Sequence, residues 1–494
     1  MRRGFWNWLS VFKFEHQEPS PISVPAESKN PPRLIPFEEK FGGIPVPSLL
    51  VADRIPRDEA NPLRQKFTRV QRRLLRWISP MQSGLSQVAD DAIAALDTAY
   101  TSSHRRCFRT PKRTPADLGE LAVASPYAYL LEGKGPGQFR WDVSVMREVP
   151  CHGGVLQPGA TVDFEAVSTG VLRPVRIETV LGVSSPGDHD WERSTRLAVS
   201  SISAYTSMVR HFNWLHLTCA GPLEAVTRMH LRADHPVRRL LWYHVYGTHY
   251  SNDLVTEVQM GPGGDFDSIF GLTHSGICEL FEATTGDFDL AAINPVLDAA
   301  RRGIGGDDIA TPAIDSWTEL YQVCHRHCAR YLAVYYGSDD DVRADSQLAD
   351  WVGWLDEVLP NGVGSVTGGE RTLAAVAELT ATIIYLATVE HEITGSGLWD
   401  YQLWTDLSPA RLYRDGSRVP VDVYQRLVNA NFNLNVHRAR LLDDGMVAMA
   451  LDDRGAQAFI DFQQDLLNVQ ARMDQLRPAP WRMEPRMLKA NINA

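Results

Sequence analysis

Cysteine is scarce and scattered: six residues, at 107, 151, 219, 278, 324 and 328, in a chain of 494. That excludes a disulfide framework and makes a reducing cytoplasm the expected compartment. Positive charge is also short. A formal net charge of −11 argues against a nucleic-acid binder. No uninterrupted apolar run approaches the ~20 residues that span a bilayer. The first fourteen residues lack the apolar core and small-residue cleavage site of a signal peptide. Instead Met1–Phe14 is basic and aromatic, with Arg2, Arg3, Phe5, Trp6 and Trp8. It suits a short amphipathic helix that docks on the protein or makes a peripheral membrane contact. Phosphate-binding loops, nucleophile elbows and internal repeats are absent as well.

What remains is an ordinary globular composition, 44% apolar and 22% charged. Residues 15 to about 50 are rich in proline and read as an extended, wrapping arm. Residues 56–105 carry helical periodicity, as in Val70, Leu74, Leu75, Trp77 and Ile78. Residues 126–185 change character: Val143–Met146, Ala160–Phe164 and Val175–Val180 favour β-branched residues, with Gly and Pro between them. They predict a small antiparallel sheet. From about 190 the pattern is helical, with breaks near 262–264, 303–307 and 361–369. The expected fold class is mainly α, a large helical body with a small sheet near its amino end. The expected division is an arm over 1–55 and one domain over 56–494.

Two histidine clusters stand out. His211 and His216 are five apart, so on a regular α-helix they point about 140° apart. They converge on one ion only if the helix carries a wider i→i+5 turn. His391 closes the apolar run Ala381–Glu390 and is expected to be buried, hence hydrogen-bonded or metal-bound. Position 395, one turn on, faces the same way. Cys324-His-Arg-His-Cys328 has the look of a zinc cluster, but it lies on a helical face where both cysteines serve as small apolar fillers. In Asp188-His189-Asp190 a solvated loop is expected.

These segments resemble the lipoxygenase family of non-heme iron dioxygenases. The resemblance runs from the paired histidines through His235-Pro-Val-Arg-Arg-Leu-Leu-Trp-Tyr-His244, Asn252 and Gly263-Gly264. It continues in Tyr336–Asp345 with Leu348 and Trp351, in His391–Tyr401 and in Pro485–Ala494. It covers roughly residues 130–494 and implies a mainly helical catalytic domain around a buried iron, without a separate β-sandwich. It further implies hydrogen abstraction from the pentadiene of an unsaturated fatty acid, or a similar lipophilic polyene, followed by addition of O2. By carry-over, His211, His216 and His391 would be imidazole ligands and the carboxylate of Ala494 a fourth. The ion would be Fe, with Mn also compatible. No side chain is singled out as the catalytic group; a metal-bound hydroxide is expected.

The departures from the family pattern are specific. Its fifth ligand falls on Gly395, which has no side chain, and its terminal Ile is Ala494 here. A glutamine outside the ligand set falls on Leu398, and the small residue that directs oxygen addition falls on Val255. Glu-Pro after the second histidine becomes Gly221-Pro222 with one extra residue, and an arginine becomes Thr256. Water in the Gly395 gap would leave two or more exchangeable positions on the ion. The competing expectation is a protein that kept the fold for binding or structure and lost the reaction.

Overall fold

The structure is a computed structural model. It describes residues 22–25, 30–41, 44–60, 117–168, 171–305, 309–397, 408–416, 439–476 and 481–492, together with a few isolated positions. Met1–Phe14, nearly all of the helical stretch expected at 61–105, Leu398 and Ala494 lie outside the described residues.

Among the described residues, nine short strands precede, flank or follow a set of helices. Strand β1 (His16–Gln17) pairs in parallel with β9 (Val436–His437). Strands β2 (Leu34–Pro36) and β3 (Leu50–Ala52) form an antiparallel pair in the arm. The expected sheet is a five-stranded antiparallel meander: β4 (Glu132–Gly135), β5 (Gln138–Asp142), β6 (Thr161–Ser168), β7 (Val171–Thr179) and β8 (Gly182–Ser184). Trp141 sits opposite Val162, and Val162 opposite Ile177. These three are buried, so one face of the meander closes the helical core. Val143–Met146 is a correction. The Asp142 carboxylate accepts the Ser144 N–H at 2.9 Å, and that turn leads into a 3-10 helix over Ser144–Glu148 instead of a strand.

Two long helical rods build the centre. The first runs without interruption from α1 (Trp191–Tyr205) through a π-helical stretch, Thr206–Ala220, into α2 (Gly221–His230). Then come α3 (Pro236–Val245), α4 (Thr248–Val255) and α5 (Pro312–Tyr335). The second rod is α6 (Leu373–Tyr385), which continues through π-helical Leu386–Glu390 and Ile393–Gly397. Over Leu373–Gly395 this rod is long and apolar enough to cross a membrane, contrary to the expectation that no stretch is, yet 83% of its most apolar window is buried inside the protein. Its threonines bond back one turn: Thr380 to Val376, Thr388 to Ile384 and Thr394 to Glu390. That satisfies each hydroxyl without a partner from outside the rod.

The arm is built into the core. Phe37, Val46, Leu49 and Val51 are buried in one cluster with Met208, Phe212 and Val255. Cys324 and Cys328 fill the core of α5, while His325 pairs with Glu378 at 3.0 Å and His327 bonds the carbonyl of Ala458. The four side chains of the zinc-like motif therefore do not converge. His189 is exposed, as a loop histidine should be.

Two of the recognised motifs meet in space. His235 caps α3 by accepting the Val237 N–H through Nδ1, and its Nε2 donates to Asp345 at 3.0 Å. At the far end of α3, His244 Nδ1 donates to the carbonyl of Ala490 at 2.7 Å and pins the carboxy-terminal segment. Burial pushes the His244 imidazole down to about 4, and that of His327 down to about 3. Both values lie below that of a free ring, so the folded chain prefers neutral imidazole. The stabilisation is complete above pH ~6.5 and is lost as pH falls toward 4, by roughly 3 kcal/mol for each ring. His244→Gln keeps an N–H donor and does not titrate. The acid midpoint of thermal unfolding should move down in this variant; an unchanged midpoint would remove His244 from the account.

Candidate metal centre

The π-helical stretch answers the spacing of the first cluster. In a helix of i→i+5 bonds, positions five apart nearly superpose. The Gly221 N–H bonds the carbonyl of His216, and the imidazoles of His211 and His216 stand 4.8 Å apart, centre to centre. The second rod widens likewise: the His391 N–H bonds the carbonyl of Leu386. His391 faces both other rings, at 5.0 Å from His211 and 5.2 Å from His216. All three histidines are buried, with one donor nitrogen of each within 4.8 Å of the others. Two ~2.1 Å bonds span at most about 4.2 Å, so the rings draw inward by about half an ångström to share one first-row ion.

Hydrogen bonds set two of the tautomers. The Asn252 amide donates from Nδ2 to the His216 carbonyl at 2.7 Å, which turns its oxygen toward His216 Nδ1 at 3.1 Å. That oxygen only accepts, so Nδ1 carries the proton and the Nε2 lone pair is left for a ligand. The Thr394 hydroxyl donates to Glu390 and accepts from His211 Nδ1 at 3.1 Å, with the same result. His211 and His216 therefore each present an Nε2 lone pair, which fits a divalent transition metal.

The two glutamates beside His391 point different ways. Glu390 turns away, to Arg210. Glu392 does not: its Oε1 lies 3.5 Å from His391 Nδ1 and 3.0 Å from Lys489 Nζ. The widened rod brings in a carboxylate that a regular helix would direct elsewhere. Arg210 and Lys489 were not singled out by sequence. A charged residue inside the apolar stretch Met208–Phe212 was the available signal.

Asn252 is itself held by a buried polar group. Its helix, α4, starts from Gly247 in the left-handed region (φ 85°) without a side-chain cap. Carboxylates from elsewhere take its first amides: Glu224 accepts from His249 N at 3.1 Å, and Glu59, just past the arm, accepts from Tyr250 N at 3.3 Å. Arg228 bridges Glu224, Glu59 and Asp58. Burial pushes the Glu59 carboxyl well above its usual range, and the neighbouring Glu224 adds to the shift. Burial also pushes His249 down to about 4, so this ring is neutral beside Glu224.

Gly395 is packed, contrary to the expectation of a gap. A Cβ there would lie 2.8 Å from Cε1 of His211. The ring fills the space that a side chain at 395 would need. Val255 is buried in one cluster with Met208 and Phe212. The structure brings together His211, His216, His391 and Gly395. Leu398 and Ala494 cannot be placed from the described residues.

Helices surround three buried imidazoles, and a small sheet closes one end of the body. Among solved structures, the coral 8R-lipoxygenase superposes with a TM-score of 0.73 at 15% identity, over 94% of this chain and 79% of that one. The manganese lipoxygenase of Gaeumannomyces graminis gives 0.67 at 15%, over 76% and 79%. A mouse epidermal-type polyunsaturated fatty acid (12S)/(13S)-lipoxygenase is 27% identical over 210 residues, 42% of this chain and 31% of that protein. The Pseudomonas aeruginosa linoleate 9/13-lipoxygenase is 28% identical over 211 residues, 41% and 29%. The matched stretches thus span about a third of these curated relatives. No family model matches. The fold is that of the lipoxygenases, and part of the sequence is similar to theirs.

Two substitutions test the centre. Asn252→Leu removes both contacts to His216 and should weaken divalent-metal binding by about 10–100-fold in a metal titration. Gly395→Asn, which aims to restore an amide ligand, should also weaken binding, because the new side chain must displace His211. Tighter binding by Gly395→Asn would show that the ring yields and that the packing argument is wrong.

Proposed function

We propose that this chain is a non-heme metal oxidoreductase acting on a lipophilic polyene, with an unsaturated fatty acid as the first candidate and O2 as co-substrate. The carrying observation is the convergence of three buried imidazoles from two rods widened at those positions. Burying three rings in one apolar interior is costly unless a common partner accepts their lone pairs. His211, His216 and His391 would hold the ion, with the main-chain carboxylate of Ala494 as a fourth ligand. Iron is the expected ion, and manganese suits the same donors. When bound, the ion supplies the one-electron chemistry that hydrogen abstraction needs. The protein's own groups hold and insulate it. Asn252 and Thr394 keep both Nδ1 protons pointed outward. Val255, Phe212 and Met208 form an apolar wall that excludes water and accepts a hydrocarbon chain.

The second reading, a lipoxygenase fold kept for binding without turnover, is favoured by Gly395, since no side chain from that position can complete the ligand set. Metal analysis of the purified protein and O2 uptake with linoleic and arachidonic acids separate the two. The expected outcome is about one iron or manganese per chain, with an oxygenated product by mass. Metal without O2 uptake would support the second reading, and absence of any transition metal would defeat the first. Adding two residues after Ala494 should lower metal content and activity together.

A further inference from the structure

We infer that the buried Arg210–Glu390 ion pair is a positioning device that locks the two histidine-bearing rods in register; this rests on reading His211, His216 and His391 as a metal centre. Arg210 immediately precedes His211, and Glu390 immediately precedes His391. Their side chains meet at 2.7 Å, Nε to Oε1, and both are 4% exposed. Each rod is therefore fastened to the other one residue away from a ring.

The arginine is fixed from several directions. Its Nη2 donates to the Ala292 carbonyl at 2.7 Å. Its guanidinium lies over Tyr129, 4.7 Å from the ring centre, and 5.7 Å from that of Trp214. Tyr129 donates to Thr206 at the start of the widened stretch, and Trp214 donates to the Thr284 carbonyl. The guanidinium is thus held against the sheet side of the body and against the helix His274–Thr285, not merely against Glu390.

A buried ion pair adds little net stability compared with apolar residues of similar size, because both charges must be desolvated. What it adds is a requirement of register. A π-helical stretch that relaxes to α-helix turns each later position by about 100° relative to the earlier ones. Arg210 and Glu390 then no longer face each other, and two buried charges lose their partners. The pair selects the widened form in both rods, and the same form makes His211, His216 and His391 converge.

Cobalt(II) binding by the full chain tests this, read by its visible spectrum and by titration alongside thermal unfolding. Glu390→Gln should bind cobalt about tenfold more weakly and melt at a lower temperature. The double variant Arg210→Met with Glu390→Met removes both charges, so it should recover most of the melting temperature. It should still bind at least about tenfold more weakly, with an altered spectrum. A double variant with the original affinity and spectrum overturns the inference and leaves the pair as packing alone. If the double variant does not fold, an unchanged cobalt affinity in Glu390→Gln has the same force. Failure of the unaltered chain to bind cobalt overturns the metal reading and this inference together, and is distinct from either result.

Discussion

Three imidazoles share one apolar interior, and the surrounding structure answers the problem they create. A buried ring nitrogen needs a partner. In two of the rings, one nitrogen is served by a fixed acceptor, the Asn252 amide oxygen or the Thr394 hydroxyl. The other is directed to a common point. Reaching that point requires helices wider than the α form, because five-residue spacing does not converge otherwise. The π-helical stretches, ordinarily a rare and less well packed form, are what the ligand geometry demands.

Support for that geometry reaches far from the rings. Asn252 depends on α4, whose first amides are taken by Glu224 and by Glu59. A residue just past the arm therefore contributes a buried carboxylate two steps from His216. At the other end, His244 holds the Ala490 carbonyl, four residues before the chain's last position. The neutrality of His244, enforced by burial, makes this anchor a donor of fixed direction. Packing and polar satisfaction act together: the cluster around Phe212 and Val255 excludes water, which strengthens each of these hydrogen bonds.

Gly395 shows how a departure from the family pattern changes meaning in three dimensions. As a letter in a motif it is a missing ligand. In space it is a position whose absent side chain lets His211 approach. The His211 ring occupies the room that a side chain at 395 would need, so the position is packed and not open.

Much of the fold was legible in the chain. β-Branched segments between glycines and prolines marked the sheet, and the failure at Val143–Met146 came from one turn-forming aspartate that overrode a local strand pattern. The widened helix at His211 and His216 was legible as a condition: either such a turn exists or the two rings cannot meet. The burial of His391 followed from the apolar run before it. The Arg210–Glu390 pair, the approach of Glu392 to His391, the capping of α4 by Glu59 and the crowding at Gly395 were not legible. Each joins residues far apart in the chain, and local pattern carries no information about which distant side chain will arrive. Residue order by itself determined which rings were available and how far apart along the helix they stood. Tertiary packing alone decided whether they converged, because convergence depends on the register between two rods, and register is set by contacts that neither rod contains on its own.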